Sequence, residues 1–373
     1  MMQTLMVKLS PDNEQHIVLH ETMRKFNEAC NYIAEVAFSN RTANKVKLQK
    51  IVYYKVRRVF GLSAQLCIRA IAKVAEAYKR DKSIKPKFKD NGAIVYDQRI
   101  LSWKGLNFVS IVTLNGRMKI PVRIGEYQKA RMDRIRGQAD LILRNGVFYL
   151  AVVIDAPEPT KYDPVGVLGV DLGIVNLAVD SDGEVHSGKK IDEVRSRMTK
   201  IKSKLQSVKT RSAKRHLKKL SGKERRFHRN INHCISKNIV TKAKDTGRAI
   251  AIENLKGIRS QITVRKAQRS RQHSWSFGQL RNFIEYKSAL MGVPVVAVNP
   301  RGTSHICPKC GHNEKRNRPS RDRFKCVQCN FAGLSDYISA INIAERGIVN
   351  CPNVSSDFFR HNFLSPQLQA HTL

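Results

Sequence analysis

The chain has 373 residues, of which 42% are hydrophobic, so it can bury a core and is too long for one small domain. Its 68 Lys and Arg outnumber 30 Asp and Glu, which gives a formal charge of +38 at pH 7. Such a chain repels itself unless a polyanion neutralises it. The composition therefore excludes global disorder and indicates a nucleic-acid partner, with a membrane-surface protein as the competing interpretation.

The sequence predicts neither a membrane span nor a secretory leader. No run approaches about 18 consecutive apolar residues. Met1–Ser10 lacks a basic segment followed by an apolar block. Four of the eight cysteines cluster in two Cys-x-x-Cys pairs, which is unlike a disulfide framework, so we expect a reducing, cytoplasmic compartment.

The first part of the chain predicts strands, then helices, then strands again. Leu5–Leu9 alternates like a strand, and His16–His20 predicts a second one. From Glu21 to about Lys82 the apolar residues recur at intervals of three and four, which predicts helices. The expected helical stripe begins with Met23, Phe26, Cys30, Ile33 and Ala37.

Strand patterns return from about Ile94 to Asp155. Asn115-Gly116 and Asn145-Gly146 interrupt them, and each pair suits a type I′ turn because both central residues need positive φ. The arrangement predicts a β-barrel or curled sheet interrupted by a helical insertion. A linker is expected at Pro157, Pro159 and Pro164.

A second unit opens with short apolar strands. We expect a helix over Trp275–Met291, and the tail from Asn350 to Leu373 loses both charge and periodicity. The expected strands are Val167–Val170, Ile174–Val179, Ala249–Ile252 and Pro294–Val298.

The segment Lys189–Arg229 is strongly basic and predicts a helical hairpin with a break near Thr210–Ala213. A solvated hairpin would explain the apolar heptad seam but not the positive charge of the outer face. Contact with a nucleic-acid backbone explains that charge. The seam comprises Ile191, Val194, Met198, Ile201, Leu205 and Val208.

The two Cys-x-x-Cys pairs have the spacing of a zinc ribbon. Fifteen residues separate Cys307 and Cys310 from Cys326 and Cys329. The basic segment between them could not form a hydrophobic core, so bound metal must supply its folding energy. Four thiolates leave no open position, which predicts a structural zinc ion with His305 and His312 as bystanders.

Two acids end apolar strands of the second unit, where a ligand can reach them. Asp171 follows Val167–Val170 and Glu253 follows Ala249–Ile252. An acid in this position can also serve only as a turn cap. Asp336 comes just after the cysteine pairs, where it or Ser335 could instead be a helix N-cap.

Several segments occur in the order found in one family. They are Gly169-Val-Asp171-Leu-Gly-Ile-Val-Asn176-Leu-Ala-Val, then Ile252-Glu253-Asn254-Leu255, then the cysteine pairs followed by Asp336 and Ala340-x-Asn342-Ile343. This order resembles TnpB, the transposon-associated RNA-guided endonuclease, and the related miniature type V CRISPR effectors. Ile338-Ser339 stands where that family often has Asn-Ala.

The resemblance implies an α/β fold in which a ribonuclease-H-like (RuvC) domain with an inserted zinc ribbon follows a β-barrel (WED-like) domain carrying a helical (REC-like) insertion. It implies that Asp171, Glu253 and Asp336 form the catalytic triad and hold catalytic Mg²⁺, two ions in all. Arg323, one of the basic ribbon residues, would approach the scissile phosphate. The implied partners are a guide RNA and double-stranded target DNA in a prokaryotic cytoplasm, with no membrane.

The expected domains follow these motifs, and the oligomeric state stays open. The alternatives are a nuclease-inactive RNA-guided repressor, a transposase or transposase accessory protein, and a zinc-ribbon ribosomal or transcription protein. The boundaries are residues 1–20 and 91–162 for the barrel, 21–90 for the insertion, 163–302 and 334–349 for the nuclease domain with its basic hairpin at 189–243, 303–333 for the ribbon and 350–373 for the tail.

Overall fold

The structure is a computed structural model that describes residues 2–81, 83–254, 277–351 and 354. It divides into two compact units, Met1–Pro157 and Glu158–Leu373. The division falls in the segment where three prolines predict a linker.

The first unit contains a seven-stranded sheet in the order β2-β6-β7-β1-β5-β4-β3. Its edge strands, β2 and β3, follow one another in the chain with only residues 97–100 between them, so the sheet must curl until its edges meet. Tyr96 of β2 accordingly donates its hydroxyl to the carbonyl of Val112 in β4, at 3.0 Å. The predicted curled sheet is thus confirmed as a nearly closed barrel. The strands are β1 (Met2–Leu9), β2 (Ile94–Tyr96), β3 (Leu101–Lys104), β4 (Phe108–Thr113), β5 (Gly116–Arg123), β6 (Ile135–Arg144) and β7 (Val147–Asp155).

Three helices lie between β1 and β2, and the first begins earlier than predicted. Asp12 caps it by accepting the backbone N–H of Gln15 at 2.8 Å. The predicted strand His16–His20 is therefore wrong. In a strand, Ile17 and Leu19 would share a face, but Leu19 is fully buried while Ile17 is 65% exposed. The helices are α1 (Asn13–Ser39), α2 (Lys45–Phe60) and α3 (Ala64–Arg80), followed after β5 by the short α4 (Glu126–Lys129).

The two predicted hairpin turns differ. Asn145 and Gly146 have φ of 51° and 77°, as a type I′ turn requires. At the other hairpin Thr113 pairs with Gly116, so the loop residues are Leu114 and Asn115. Only Gly116 has positive φ there, at 88°. The type I′ prediction is wrong at this position because the glycine lies after the loop, at the start of β5.

The second unit contains a five-stranded sheet in the order β10-β9-β8-β11-β12. Strands β8, β11 and β12 are parallel, while β9 and β10 run antiparallel to their neighbours. The strands are β8 (Gly166–Asp171), β9 (Asn176–Asp180), β10 (Val185–Ser187), β11 (Arg248–Glu253) and β12 (Val295–Val298).

A long helical hairpin follows β10, as predicted. It consists of α5 (Lys189–Val208) and α6 (Arg211–Asp245). The break between the helices falls at Lys209 and Thr210. Lys209 adopts a left-handed backbone conformation, and Thr210 caps α6 by accepting the N–H of Ala213. The apolar seam is buried at Ile191 and Met198. It becomes exposed toward the tip of the hairpin, where Val208 is 58% exposed.

Two further helices and a small hairpin complete the unit. Helix α7 (Phe277–Met291) matches the predicted helix, whose first two residues lie outside the described part of the chain. Strands β13 (Arg323–Lys325) and β14 (Ala332–Leu334) form the hairpin, and α8 (Ser335–Val349) follows directly. In the predicted tail, Cys351 and Val354 are each 7% exposed and pack with Ile341, so the packed fold continues beyond Asn350. The other residues of that tail, apart from Asn350, lie outside the described residues.

Within the described residues, every helix is too short or too polar to cross a lipid bilayer.

Candidate active site and zinc centre

The first two acids emerge side by side from the same edge of the sheet. Strands β8 and β11 are parallel, and Val170 pairs with Ile252. Asp171 and Glu253 are the next residues, so both carboxylates follow the carboxyl ends of neighbouring buried strands. Ligand sites of open α/β sheets form at this edge.

Helix α8 carries the third acid to this edge. The helix lies so close to β8 that a Cβ on Gly169 would be 2.1 Å from the carbonyl oxygen of Ala340. Asp336 lies in the first turn of α8, whose N-cap is Leu334 without a side-chain hydrogen bond. The capping alternative for Ser335 and Asp336 is therefore wrong.

The charges of Glu253 and Asp336 both act on Asp171. Burial and, to a smaller extent, the charges of Glu253 and Asp336 together raise the pKa of Asp171 to about 8, against the lowering effect of Arg318. Burial also raises the pKa of Glu253. Neighbouring, partly buried carboxylates favour either protons or cations, and hard divalent ions prefer such oxygen ligands. The donor set fits Mg²⁺ on these grounds.

The carboxylates of the three acids lie too far apart for all of them to bind one ion at the distances in this structure. A site in which side chains surround one metal ion brings together the ligand atoms of at least three His, Cys, Asp or Glu residues. Among the described residues, only the four ribbon cysteines form such a group with all ligand atoms within 4.8 Å of one another. At least one pair among Asp171, Glu253 and Asp336 is therefore farther apart than this distance.

Three polar side chains that the sequence did not single out contact the acids. Asn176 donates its side-chain N–H to Oδ2 of Asp336 at 2.9 Å. Thr303 donates its hydroxyl to Oε1 of Glu253 at 2.5 Å. Arg318 lies 3.5 Å from Oδ1 of Asp336. Asn176 occurs in a segment that resembles TnpB, but these contacts join residues far apart in the chain.

The sequence singled out a different ribbon arginine. Arg323 lies on β13 and is exposed, whereas Arg318 forms the ion pair with Asp336. Spacing along the chain does not reveal which of the ribbon's basic residues faces the acids.

The four ribbon cysteines converge on one point. Cys307 and Cys329 have sulfurs 3.6 Å apart, and those of Cys310 and Cys326 are 3.5 Å apart. Tetrahedral zinc with bonds of about 2.3 Å needs sulfurs roughly 3.8 Å apart, so the thiols can hold this ion. Neither predicted bystander, His305 or His312, belongs to the group.

Backbone N–H groups of the ribbon favour the thiolate form of Cys326, whereas burial raises the pKa of Cys307. Burial opposes ionisation of Cys326, but the backbone N–H groups of Cys329 and Gln328 lower the pKa of its thiol to about 6. The ribbon core also includes Phe324 and Ile338, the second of which belongs to α8. Ile338, a departure from the TnpB pattern, thus packs the ribbon against the helix that carries Asp336.

Comparison with known proteins identifies the family. The TnpB-like protein of Methanocaldococcus jannaschii is 30% identical over 192 residues, which cover 48% of this chain and 68% of that protein. The chain belongs to the TnpB family. Within this TnpB-family chain, residues 151–259 match a family model described as "Probable transposase", and residues 277–343 match one described as "Cas12f1-like, TNB domain".

Other relatives of this TnpB-family chain are CRISPR nucleases. The CRISPR-associated endodeoxyribonuclease Cas12f1 of Syntrophomonas palmitatica is 32% identical over 241 residues, covering 57% of this chain and 47% of that protein. The chain thus spans about half the length of the curated relatives it matches first.

The fold is that of Cas12f. The solved Cas12f1-sgRNA-target DNA complex has a TM-score of 0.62 and 17% identity, covering 87% of this chain and 82% of that one. The likeness therefore rests on chain architecture more than on sequence.

Proposed function

We propose that this chain is an RNA-guided DNA endonuclease in which Asp171, Glu253 and Asp336 are the catalytic residues of a ribonuclease-H-like (RuvC) domain. The observation that carries the proposal is the arrival of three carboxylates at one sheet edge, with Glu253 and Asp336 raising the pKa of Asp171. Three partly buried acids that meet at one place repel one another unless protons or cations neutralise them.

The acids would hold two Mg²⁺ ions. When bound, such a pair of ions, about 3.5–4 Å apart, supplies an activated water and stabilises the leaving oxygen of a phosphodiester. At least one acid pair is separated by more than 4.8 Å, which suits two ions better than one shared ion. Asn176 fixes one oxygen of Asp336, whose other oxygen lies near Arg318, and Thr303 fixes one oxygen of Glu253 and leaves the second for a ligand. Arg318 is the cation that would meet the entering phosphate.

Nucleic-acid contact would spread over the basic surfaces. Between Lys189 and Arg229 the hairpin carries seventeen Lys and Arg against three acids. This ratio suits the backbone of an RNA–DNA duplex, which a protein recognises without reading its bases. The solved Cas12f1 complex holds an sgRNA and target DNA, and we extend these two classes of partner to this chain because the folds are alike.

The first unit would complete the recognition. We propose that its barrel, a WED-like domain, and α1–α3, a REC-like insertion, hold the guide RNA and read a short motif beside the target. The ribbon would carry structural zinc, which requires reduced thiols and so suits a prokaryotic cytoplasm. Purification from cells and sequencing of the RNA that remains bound would identify the guide.

The decisive experiment is guide-dependent cleavage. The protein is loaded with its co-purified RNA, retargeted to a plasmid, and incubated with Mg²⁺ or with Ca²⁺. We expect Mg²⁺-dependent cuts at the matched site and none from Asp171→Asn, which should bind the target as the wild type does. Target binding without cleavage by the wild type would instead support an RNA-guided repressor. Joined DNA strands would support a transposase.

A further inference from the structure

Thr303 connects the zinc ribbon to the second acid. It lies in the segment between β12 and Cys307, and only 2% of it is exposed. Its hydroxyl lies 2.5 Å from Oε1 of Glu253 and 3.0 Å from the carbonyl oxygen of Pro300. A hydroxyl has one hydrogen to donate, and a carboxylate accepts it more strongly than a neutral carbonyl does. The hydroxyl therefore orients Glu253 when that acid is ionised.

Asn342 holds Thr303 in place from the helix that carries Asp336. Its side-chain amide donates to the carbonyl of Thr303 at 2.7 Å and to that of Ile306 at 2.8 Å. Asn342 is 2% exposed, and its Oδ1 has no hydrogen-bond partner among the described residues. A buried acceptor without a partner is costly, so the two donated bonds must compensate for it.

These contacts form a continuous path from one acid to another. Asp336 and Asn342 lie on α8, Asn342 fixes the backbone of Thr303, and Thr303 fixes Glu253. We propose that Thr303 and Asn342 are positioning residues. They hold the Glu253 carboxylate at a fixed position relative to Asp336, so that both can bind divalent cations. This inference rests on the proposed metal site at Asp171, Glu253 and Asp336.

The path predicts that an isosteric acid at residue 342 would not replace the amide. Both of its donors meet carbonyl oxygens, so a carboxylate at this position would face two acceptors with none of the hydrogens that now join them. The segment Thr303–Ile306 would then lose its anchor on α8, and the Thr303 hydroxyl would lose its fixed position.

The test measures cation binding by zinc-loaded protein in the absence of nucleic acid. Free Mn²⁺ is followed by its electron paramagnetic resonance signal during a titration. We expect Thr303→Val to weaken Mn²⁺ binding roughly tenfold, the usual effect of removing a side chain that orients a metal ligand. Thr303→Ser keeps the hydroxyl and should bind as the wild type does. Wild-type affinity in Thr303→Val, or equal weakness in Thr303→Ser, would overturn the proposal.

A second variant tests the path, and a third separates this inference from the proposed function. Asn342→Asp should weaken Mn²⁺ binding, and adding Thr303→Val to it should cause little further loss because both act through one hydroxyl. Independent, additive losses would contradict a shared path. Zinc content is measured throughout, and its loss in Thr303→Val would assign that residue to ribbon folding instead. If Glu253→Gln binds Mn²⁺ like the wild type, the metal site itself is refuted.

Discussion

Arg318 of the zinc ribbon lies with its guanidinium 3.5 Å from Oδ1 of Asp336. The same guanidinium donates to the carbonyl of Arg321 at 2.7 Å, so the ribbon's own turn holds it in position. About a quarter of each side chain is exposed, at 25% for Arg318 and 24% for Asp336. The ion pair is therefore accessible to a ligand, and an entering phosphate could take the place of the carboxylate as the partner of Arg318.

Substitution of Arg318 should slow cleavage without abolishing target binding. We expect Arg318→Ala to lower the single-turnover rate roughly 100-fold, as the loss of one preorganised donor to a developing negative charge does. Arg323→Ala is the matched control, because that arginine is exposed on the same ribbon and should affect the rate little. Equal rates for Arg318→Ala and the wild type would show that the ion pair has no part in the reaction.

Asp171 should make the fold less stable as the pH rises. Its pKa is about 8 in the folded protein and about 3.9 in an unfolded chain, so the folded state binds more protons between these values. The free energy of unfolding should fall from about pH 4 to pH 8 and then level off.

Asp171→Asn isolates this effect, because it removes the titrating group and keeps the shape. Urea unfolding of zinc-loaded protein in Mg²⁺-free buffer should show that the free energy of unfolding of the variant rises relative to that of the wild type from pH 5 to pH 9. Added Mg²⁺ should reverse the difference, since cations stabilise only the chain that retains the acid. A difference that stays constant with pH would contradict the assigned burial of this carboxyl.

Gly169 should tolerate no side chain, because α8 occupies the space. A Cβ there would lie 2.1 Å from the carbonyl of Ala340 and 2.5 Å from the amide nitrogen of Ala344. We expect Gly169→Ala to destabilise the protein by about 3 kcal/mol, at the upper end for overpacked cores, and to shift Asp336 away from the strands. Gly278→Ala is the control: no atom lies within 4 Å of its Cβ position, and alanine favours the helix. Thermal unfolding of both variants measures the difference.

Local patterns predicted the parts of the site that depend on one short segment. The spacing of Cys307, Cys310, Cys326 and Cys329 predicted a group that the structure assembles, and the apolar strands before Asp171 and Glu253 predicted where those acids emerge. The order of segments predicted the family. These signals depend on spacing and periodicity, which the sequence contains directly.

Tertiary contacts escaped prediction for a physical reason. The bond from Thr303 to Glu253 and the pair of Arg318 with Asp336 depend on how α8 and the ribbon pack, and no periodicity encodes that packing. The strand predicted at His16–His20 failed because the cap at Asp12 lies outside the alternating segment. Short apolar runs leave helix and strand ambiguous until such a cap is considered.

Zinc should be required for the geometry of the acids as well as for the ribbon. Strand β14 ends at Leu334, immediately before α8, and Ile338 packs against Cys307 and Cys326. A ribbon without metal loses its folding energy, so both the first turn of α8 and the anchor of Arg318 should loosen. We expect Cys326→Ser to lose zinc, to bind Mn²⁺ more weakly and to abolish cleavage, while α1–α3 and the barrel retain their structure. Cys234→Ser is the matched control, because this exposed cysteine lies on α6 outside the group, and it should retain zinc and activity. Full cleavage by zinc-free Cys326→Ser would show that the ribbon does not support Asp336.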